Sequence, residues 1–394
     1  MTNAKDFLSK RVLSVAPSLT LAITAKAKEM KAQGIDIVSL SAGEPDFDTP
    51  AYAKQAAIAA LEKGVTKYTP ATGTPELRKA IAKKLERDQK ISIPPEQIIV
   101  SNGAKHSIFN ALFALIDPGD EILIPAPYWL SYPDMVSLLG GENVILETDE
   151  KNDFKLTPKV LSEGITSKTK ALILNSPSNP TGAVYSRDEF LKLIDVLKKH
   201  PHVVIISDEI YEKIIFDGRE HYSIASLDPD IAQRTIVVNG MSKTYSMTGW
   251  RLGYAAYPNK EWAKAVSSLQ SHSTSNPTSF AQPGGIVALE KGEEDARKAC
   301  QLFQKRRDFF YEKIAAIPKL KPFKSQGSFY LFVNVGGLGL GSIQLAEKWI
   351  EEAHVAVVPG QPFGSDNYVR MSFASTEKNL EEAARRIKDW VEKQ

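Results

Sequence analysis

Thr235-Ile236-Val237-Val238-Asn239-Gly240-Met241-Ser242-Lys243-Thr244 decides how this chain is read. An apolar, strand-like run stops at Val238, and a polar turn follows that carries Lys243. Further on, Arg251 opens a second apolar stretch, Leu252-Gly253-Tyr254-Ala255-Ala256. An amine and a guanidinium therefore stand near the ends of core strands, where the crevices of open α/β sheets bind ligands. An amine there can condense with a carbonyl, and an arginine can grip a phosphate. For an isolated lysine, a solvated loop charge is the commoner fate. The rest of the chain decides between the two.

The same pattern recurs upstream. Ser101-Asn102-Gly103-Ala104-Lys105 follows the run Ile98 to Val100, and Pro127-Tyr128-Trp129 follows Ile122 to Ile124. Asn175 to Gly182 follows Leu172 to Leu174, and Asp208-Glu209-Ile210-Tyr211 follows Val203 to Ile206. In a parallel sheet these strand ends share one edge, so distant segments converge in space. Capped helical patterns lie between the runs. Thr49-Pro50 is expected to open a helix from Ala51 to Lys63, closed by Gly64, with Thr49 as its cap. Thr74-Pro75 opens a second, and Ser186 with Glu189 forms a capping box for another that ends near His200-Pro201.

Strands alternating with helices predict an α/β protein with a large, doubly covered, mostly parallel sheet. The last ~80 residues read differently. Phe329 to Val333 and Tyr368 to Ser372 look like strands, and Glu377 to Glu392 like a closing helix, which predicts a smaller α/β domain. The loop Gly336 to Gly341 carries no assignable chemistry.

Composition narrows the class. The 394 residues are too many for one small core, and 43% hydrophobic with 24% charged residues is ordinary for a globular chain. A net charge of +2 gives no bulk electrostatic case for nucleic acid. The one cysteine, Cys300, permits no internal disulfide and fits a reducing compartment, so a cytoplasmic location is expected. Met1 to Leu21 holds no apolar signal core, and no stretch approaches the ~20 apolar residues of a membrane span. No metal site is expected.

Each converging segment offers a distinct piece of chemistry. Gly103 stands where a helix begins, so backbone N–H groups and the helix dipole favour an anion. Lys105 and His106 in that first turn oppose the dipole at ~0.3–1 kcal/mol each, which a bound anion would rationalise. Asp208 ends a strongly apolar strand and can hold a protonated pyridine nitrogen. Tyr211 can donate to a phenolic oxygen, and Trp129 offers a flat stacking face. Arg370, in an otherwise apolar strand, calls for a carboxylate partner, which can be a substrate's. Taken singly, a helix cap, a core tryptophan and a plain turn at Asn179-Pro180-Thr181-Gly182 account for several of these.

Together these segments resemble the class I aminotransferases of pyridoxal-phosphate fold type I, in the bacterial aspartate aminotransferase branch. The similarity also runs through Ser41-Ala42-Gly43-Glu44-Pro45-Asp46-Phe47-Asp48-Thr49-Pro50, Lys67-Tyr68-Thr69-Pro70 and Gly249-Trp250-Arg251. It spans nearly the whole chain in the family's order. The resemblance implies the fold type I architecture: residues 1–48 as an N-terminal arm and part of the small domain, 49–314 as the large cofactor-binding domain, and 315–394 as the small domain. It implies that Lys243 attaches the cofactor, pyridoxal 5'-phosphate, and shuttles the proton. Asp208 is expected to partner the pyridine nitrogen, Tyr211 and Asn179 the ring oxygen, and Trp129 the ring face. Gly103, Ala104, Ser242 and Arg251 are expected around the cofactor, and Tyr68 at the phosphate of the neighbouring subunit of a homodimer. Arg370 and Gly43, helped by Asn179 and Trp129, are expected at the substrate α-carboxylate.

The implied activity is ping-pong amino transfer. The loop Ser271 to Pro277 lacks the arginine with which many aspartate aminotransferases hold the distal carboxylate. In the branch resembled here a lysine at the position of Lys105 takes that role, which favours aspartate and 2-oxoglutarate. Prephenate-using members tend to carry a lysine just before Pro17-Ser18, where this chain has Ala16. An aminotransferase that also or mainly uses prephenate and glutamate or another amino acid, a lyase of the same fold, and a catalytically silent binding protein are the alternatives. The complete set of Lys243, Asp208, Tyr211, Arg251 and Arg370 speaks against a silent one. A nicotinamide dehydrogenase fails, because no Gly-x-Gly-x-x-Gly follows an early strand.

Overall fold

The computed structural model describes residues 7–13, 15 and 19–394, the side chains of Thr20 and Leu21 excepted. Ala16 and Pro17-Ser18 lie outside the described residues.

Thirteen strands form three sheets among the described residues: β1 (Val38–Ser39), β2 (Ile98–Asn102), β3 (Glu121–Ala126), β4 (Glu142–Glu147), β5 (Thr169–Asn175), β6 (Val204–Asp208), β7 (Thr235–Gly240), β8 (Leu252–Ala256), β9 (Lys321–Phe323), β10 (Tyr330–Asn334), β11 (Val355–Ala356), β12 (Val358–Pro359) and β13 (Tyr368–Ser372). The large sheet has the order β2-β8-β7-β6-β5-β3-β4. β3, β4, β5, β6 and β7 pair in parallel, while β8 runs antiparallel to both β2 and β7. The C-terminal ends of β2, β3, β5, β6 and β7 therefore share one edge with the N-terminal end of β8. That reversal brings Arg251, which precedes β8, to the same edge as Lys243.

Side chains alternate between two faces, and both faces are buried, so the strands read as unbroken apolar runs. Ile236 and Val238 pack with Ile99, Ile124, Ile173 and Ile206 under the helix Ala104–Leu115. Val237 points the other way, into a core with Val100, Leu77, Ile81 and Leu252. Leu123, Leu172 and Ile205 join a further core beneath the helix Arg187–Leu197. That helix carries the expected capping box of Ser186 and Glu189.

The antiparallel sheet β12-β13-β10-β9 packs against the helices Glu293–Ala315, Ser342–Glu352 and Glu377–Val391 through Phe329, Leu331, Val333, Val369, Trp349 and Ile387. β1 pairs in parallel with β11, tying an early segment to the last third of the chain.

One local expectation is corrected. Thr49 does not cap the helix Ala51–Glu62: Pro50 occupies the cap position, and no side chain caps it. The Thr49 hydroxyl instead donates to Ser246 O at 2.6 Å and accepts from Trp250 Nε1 at 3.1 Å. It thus ties the helix entry to the turn beyond Lys243. Thr74 does cap the helix Pro75–Gln89, accepting from the Leu77 N–H.

Candidate active site

The shared edge of the large sheet opens into a cavity of ≈ 770 Å³, within the size range of small-molecule sites. It is lined by Lys243, Asp208, Tyr211, Asn179, Ser242, Ala104, Trp129, Arg251, Gly43, Lys105 and Arg370. Of the residues expected at the site, only Gly103 and Tyr68 are not in its wall.

Lys243 follows β7 on the turn that the sequence predicts. Its ammonium donates to Gly43 O and lies 5.9 Å from the ring centres of both Tyr211 and Phe329. Burial, then the nearby Arg370, lowers its pKa to about 8 against the opposing pull of Glu44. At pH 7 about a tenth of this amine is therefore unprotonated and free to act as nucleophile or base, far more than for an ordinary lysine.

Asp208, at the end of β6, is 4% exposed. Its carboxylate accepts from Tyr132 OH at 2.7 Å and from the Ile210 N–H at 3.3 Å. Among the described residues no ion pair neutralises it. Burial pushes its pKa up to about 6, and the two hydrogen bonds only partly offset this. A buried carboxylate that faces a cavity and forms no ion pair suits a cationic ligand atom.

Arg370, on β13, is the mirror case. It is 2% exposed, donates to Asn179 Oδ1 at 2.9 Å and Ser41 O at 3.2 Å, and stacks 4.3 Å from the Tyr330 ring. Its Nε has no partner, and no carboxylate pairs with it among the described residues. Such a guanidinium is built to receive an anion from the cavity. Tyr211, 3% exposed, shares a 3.0 Å hydrogen bond with Tyr330 OH.

At the other end, Gly103 adopts φ +88° and occupies the cap position of the helix Ala104–Leu115. A Cβ there would fall 2.5 Å from Arg251 Nη2, so only glycine admits the guanidinium beside this helix end. Gly253 must also lack a side chain, since a Cβ would lie 2.1 Å from Ala104 N. The Gly103 N–H donates to Ser101 O at 2.8 Å. The first-turn N–H groups of Ala104 and Lys105 have no helical acceptor and supply the positive helix end. Among the described residues Arg251 donates only to the backbone oxygens of Thr248 and Asn102, at 2.8 and 3.3 Å. Burial lowers the pKa of both Lys105 and His106, and Arg251 lowers that of Lys105 further. A cation, a helix N-terminus and a glycine cradle together match a phosphate.

Trp129 contacts Tyr132 edge-on at 5.3 Å, and its ring lies 4.7 Å from the Lys105 ammonium. Ser242 is buried at the wall beside Lys243. Tyr68 is 89% exposed. The site also holds groups that sequence reasoning missed. Tyr132 was masked as one more aromatic in Trp129-Leu130-Ser131-Tyr132, and Tyr330 as a core residue of an apolar strand. Outside the cavity, Glu209, Glu212 and His221 bring potential metal-ligand atoms within 4.8 Å of one another. Lys84, Gln89, Ser207 and Ser223 already engage those carboxylates.

An amine of lowered pKa, an unneutralised buried carboxylate, a phosphate cradle and an unpaired arginine around one cavity define a pyridoxal-phosphate enzyme of the aminotransferase type. The comparisons agree: residues 35–387 match the family model for aminotransferase class I and II, and the chain belongs to that family. It is 47% identical to the aspartate aminotransferase of Geobacillus stearothermophilus over 390 residues, covering 98% of this chain and 99% of that protein. It is 45% identical to the probable aspartate/prephenate aminotransferase of Rickettsia felis, covering 97% and 96%. The crystal structure of the aspartate aminotransferase from Rhizobium meliloti superposes with a TM-score of 0.94 at 42% identity, covering 98% of each chain. That of Thermus thermophilus aspartate aminotransferase with maleate gives 0.92 at 42% identity, covering 97% and 99%. The family is pyridoxal-phosphate dependent, and the residues here fit that cofactor: the Gly103 cradle suits its phosphate, and buried Asp208, which forms no ion pair among the described residues, its ring nitrogen.

Proposed function

We propose that this protein transfers the amino group between L-aspartate and 2-oxoglutarate by a ping-pong mechanism. The observation that carries this reading is that, besides Lys243 and the Arg251 of the phosphate cradle, the wall of the cavity holds two further cations, Arg370 and Lys105, that form no carboxylate salt bridge among the described residues. A dicarboxylic amino acid brings two carboxylates. Arg370 binds the α-carboxylate, with Asn179 fixing the guanidinium and Gly43 leaving room at Tyr330. Lys105 binds the distal one.

When bound, pyridoxal phosphate supplies an aldehyde that takes up the amino group and a ring that accepts electrons from Cα. The Ala104 helix end and Arg251 would hold the phosphate, and Trp129 would offer its face to the ring. Asp208 keeps a proton on the ring nitrogen; Tyr132 orients that carboxylate. Tyr211 and Asn179 bond the phenolic oxygen. Lys243 would hold the cofactor and, as a free amine, would move the proton from Cα; its lowered pKa suits that role.

The proposal includes the division into residues 1–48, 49–314 and 315–394, a cytoplasmic location, and a homodimer. Among the described residues no helix is long and apolar enough to cross a membrane. Tyr68 is far too exposed to serve its own cavity, and Ile58, Leu61, Val65 and Phe280 are exposed on nearby segments. A second copy would cover these apolar groups and receive Tyr68 at its phosphate. Sedimentation as a monomer at micromolar concentration contradicts this. Prephenate is the second acceptor to test, because similar proteins carry that name.

Lys105→Ala tests the substrate reading. An ammonium–carboxylate contact in a closed site is worth roughly 1.5–3 kcal/mol, so kcat/KM for aspartate should fall ~10- to 150-fold. An apolar donor should lose much less. Equal losses for both donors would reassign Lys105 to the phosphate or the fold.

A further inference from the structure

Lys105 reaches across to the helix Ser131–Leu139. Ser131 and Asp134 stand three residues apart, hence on one face of that helix, and both line the cavity. Ser131 Oγ accepts from Lys105 Nζ at 3.1 Å, and the Trp129 ring lies 4.7 Å from the same ammonium. Asp134 is half-buried and makes no hydrogen bond or ion pair through its side chain among the described residues. Its charge is nevertheless coupled to Lys105. Burial raises the Asp134 pKa and Lys105 draws it down, while Asp134 resists the lowering that burial and Arg251 impose on Lys105. The cavity wall near Lys105 also includes Ile108, Phe109, Met135 and Leu138, an apolar lining that does not itself require a charged ligand.

We propose that Asp134 is a specificity-determining residue: it is the resident counter-charge of Lys105 and sets the balance between dicarboxylic and apolar amino donors. The inference rests on Lys105 as the distal-carboxylate partner. When the incoming side chain is apolar, Asp134 compensates the lysine, so a cation is not stranded against that side chain. When the side chain carries a carboxylate, Asp134 competes for the same ammonium and repels the newcomer. Asp134 thus weakens dicarboxylate binding in exchange for tolerance of apolar donors.

The test uses the holoenzyme and two readouts. One is the dissociation constant of succinate, a dicarboxylate that cannot react, followed by cofactor absorbance. The other is the ratio of kcat/KM for aspartate to that for leucine, which cancels any loss of folded enzyme. Asp134→Asn should tighten succinate about 3- to 30-fold and raise the ratio by a similar factor, as expected for removing one like charge at partly screened range. Asp134→Glu, which keeps the charge, should stay near wild type in both. Lys105→Ala is run alongside and should weaken succinate. If Lys105→Ala weakens succinate but Asp134→Asn leaves both readouts unchanged, the role of Asp134 is refuted and that of Lys105 stands. If Lys105→Ala leaves succinate binding unchanged, the dicarboxylate reading fails, and this inference with it.

Discussion

Lys243→Ala should reduce amino transfer by ~10⁴-fold or more even with saturating pyridoxal phosphate, because one side chain serves two purposes. In the proposed mechanism it attaches the cofactor and also moves the proton at Cα, a contribution typically worth ~10²–10⁴ for a positioned acid–base group. Its place is over-determined: the strand β7 ends at Gly240, the next turn is pinned to the helix entry by Thr49, and the ammonium is held on Gly43 O. The variant should fold normally, since the lysine fills no core position. Activity within a hundredfold of wild type would remove Lys243 from the chemistry. Small external amines should recover part of the lost proton transfer, which a purely structural lysine would not permit.

The second large effect is expected from Asp208→Asn. In the proposed mechanism this removes, in the loaded enzyme, the charge that would keep the ring nitrogen protonated. Losing a charge-assisted hydrogen bond in a buried site should cost ~10²-fold or more in rate. The apoprotein should respond in the opposite direction. The Asp208 pKa is raised from 3.8 to about 6 in the fold. Below the unfolded value both states are protonated and no cost arises. As pH rises through that value and on through about 6, the unfolded state loses its proton first and the fold is destabilised. Above about 6 the full cost, about 3 kcal/mol, remains. Cofactor-free Asp208→Asn should therefore melt higher than cofactor-free wild type at pH 8, and this advantage should shrink towards pH 4. A variant that is slower but also less stable at pH 8 would assign Asp208 to the structure instead of the site.

This trade of stability for function bears on what the sequence reveals. Asp208, Lys243 and Arg370 are legible because each is a charge where an apolar run makes a charge expensive. The strands are legible for a related reason: burial on both faces leaves Ile98 to Val100 or Ile236 to Val238 without polar interruption. Burial does not encode direction. Leu252 to Ala256 looks like its neighbours, and only the structure reveals it as the one antiparallel strand of the large sheet. β4 escapes notice because Glu142 to Glu147 is an edge strand carrying polar residues. The helix Ser131–Leu139 escapes because no side chain caps it. With it went Tyr132, whose bond to Asp208 joins residues 76 apart in sequence, and Asp134. Thr49 misled for the converse reason: its cap-like context is local, whereas its hydroxyl is used 197 residues away. Contacts of that kind leave no mark in a periodic pattern.

Whether this cavity exchanges an amino group is decided by a single half-reaction. The yellow holoenzyme is mixed with aspartate and no acceptor acid, and the cofactor absorbance and products are followed through one turnover. One oxaloacetate should form per active site, the cofactor should convert to its amine form, and the original spectrum should return on adding 2-oxoglutarate, with glutamate released. Release of ammonia or carbon dioxide while the cofactor keeps its aldehyde spectrum would contradict amino transfer.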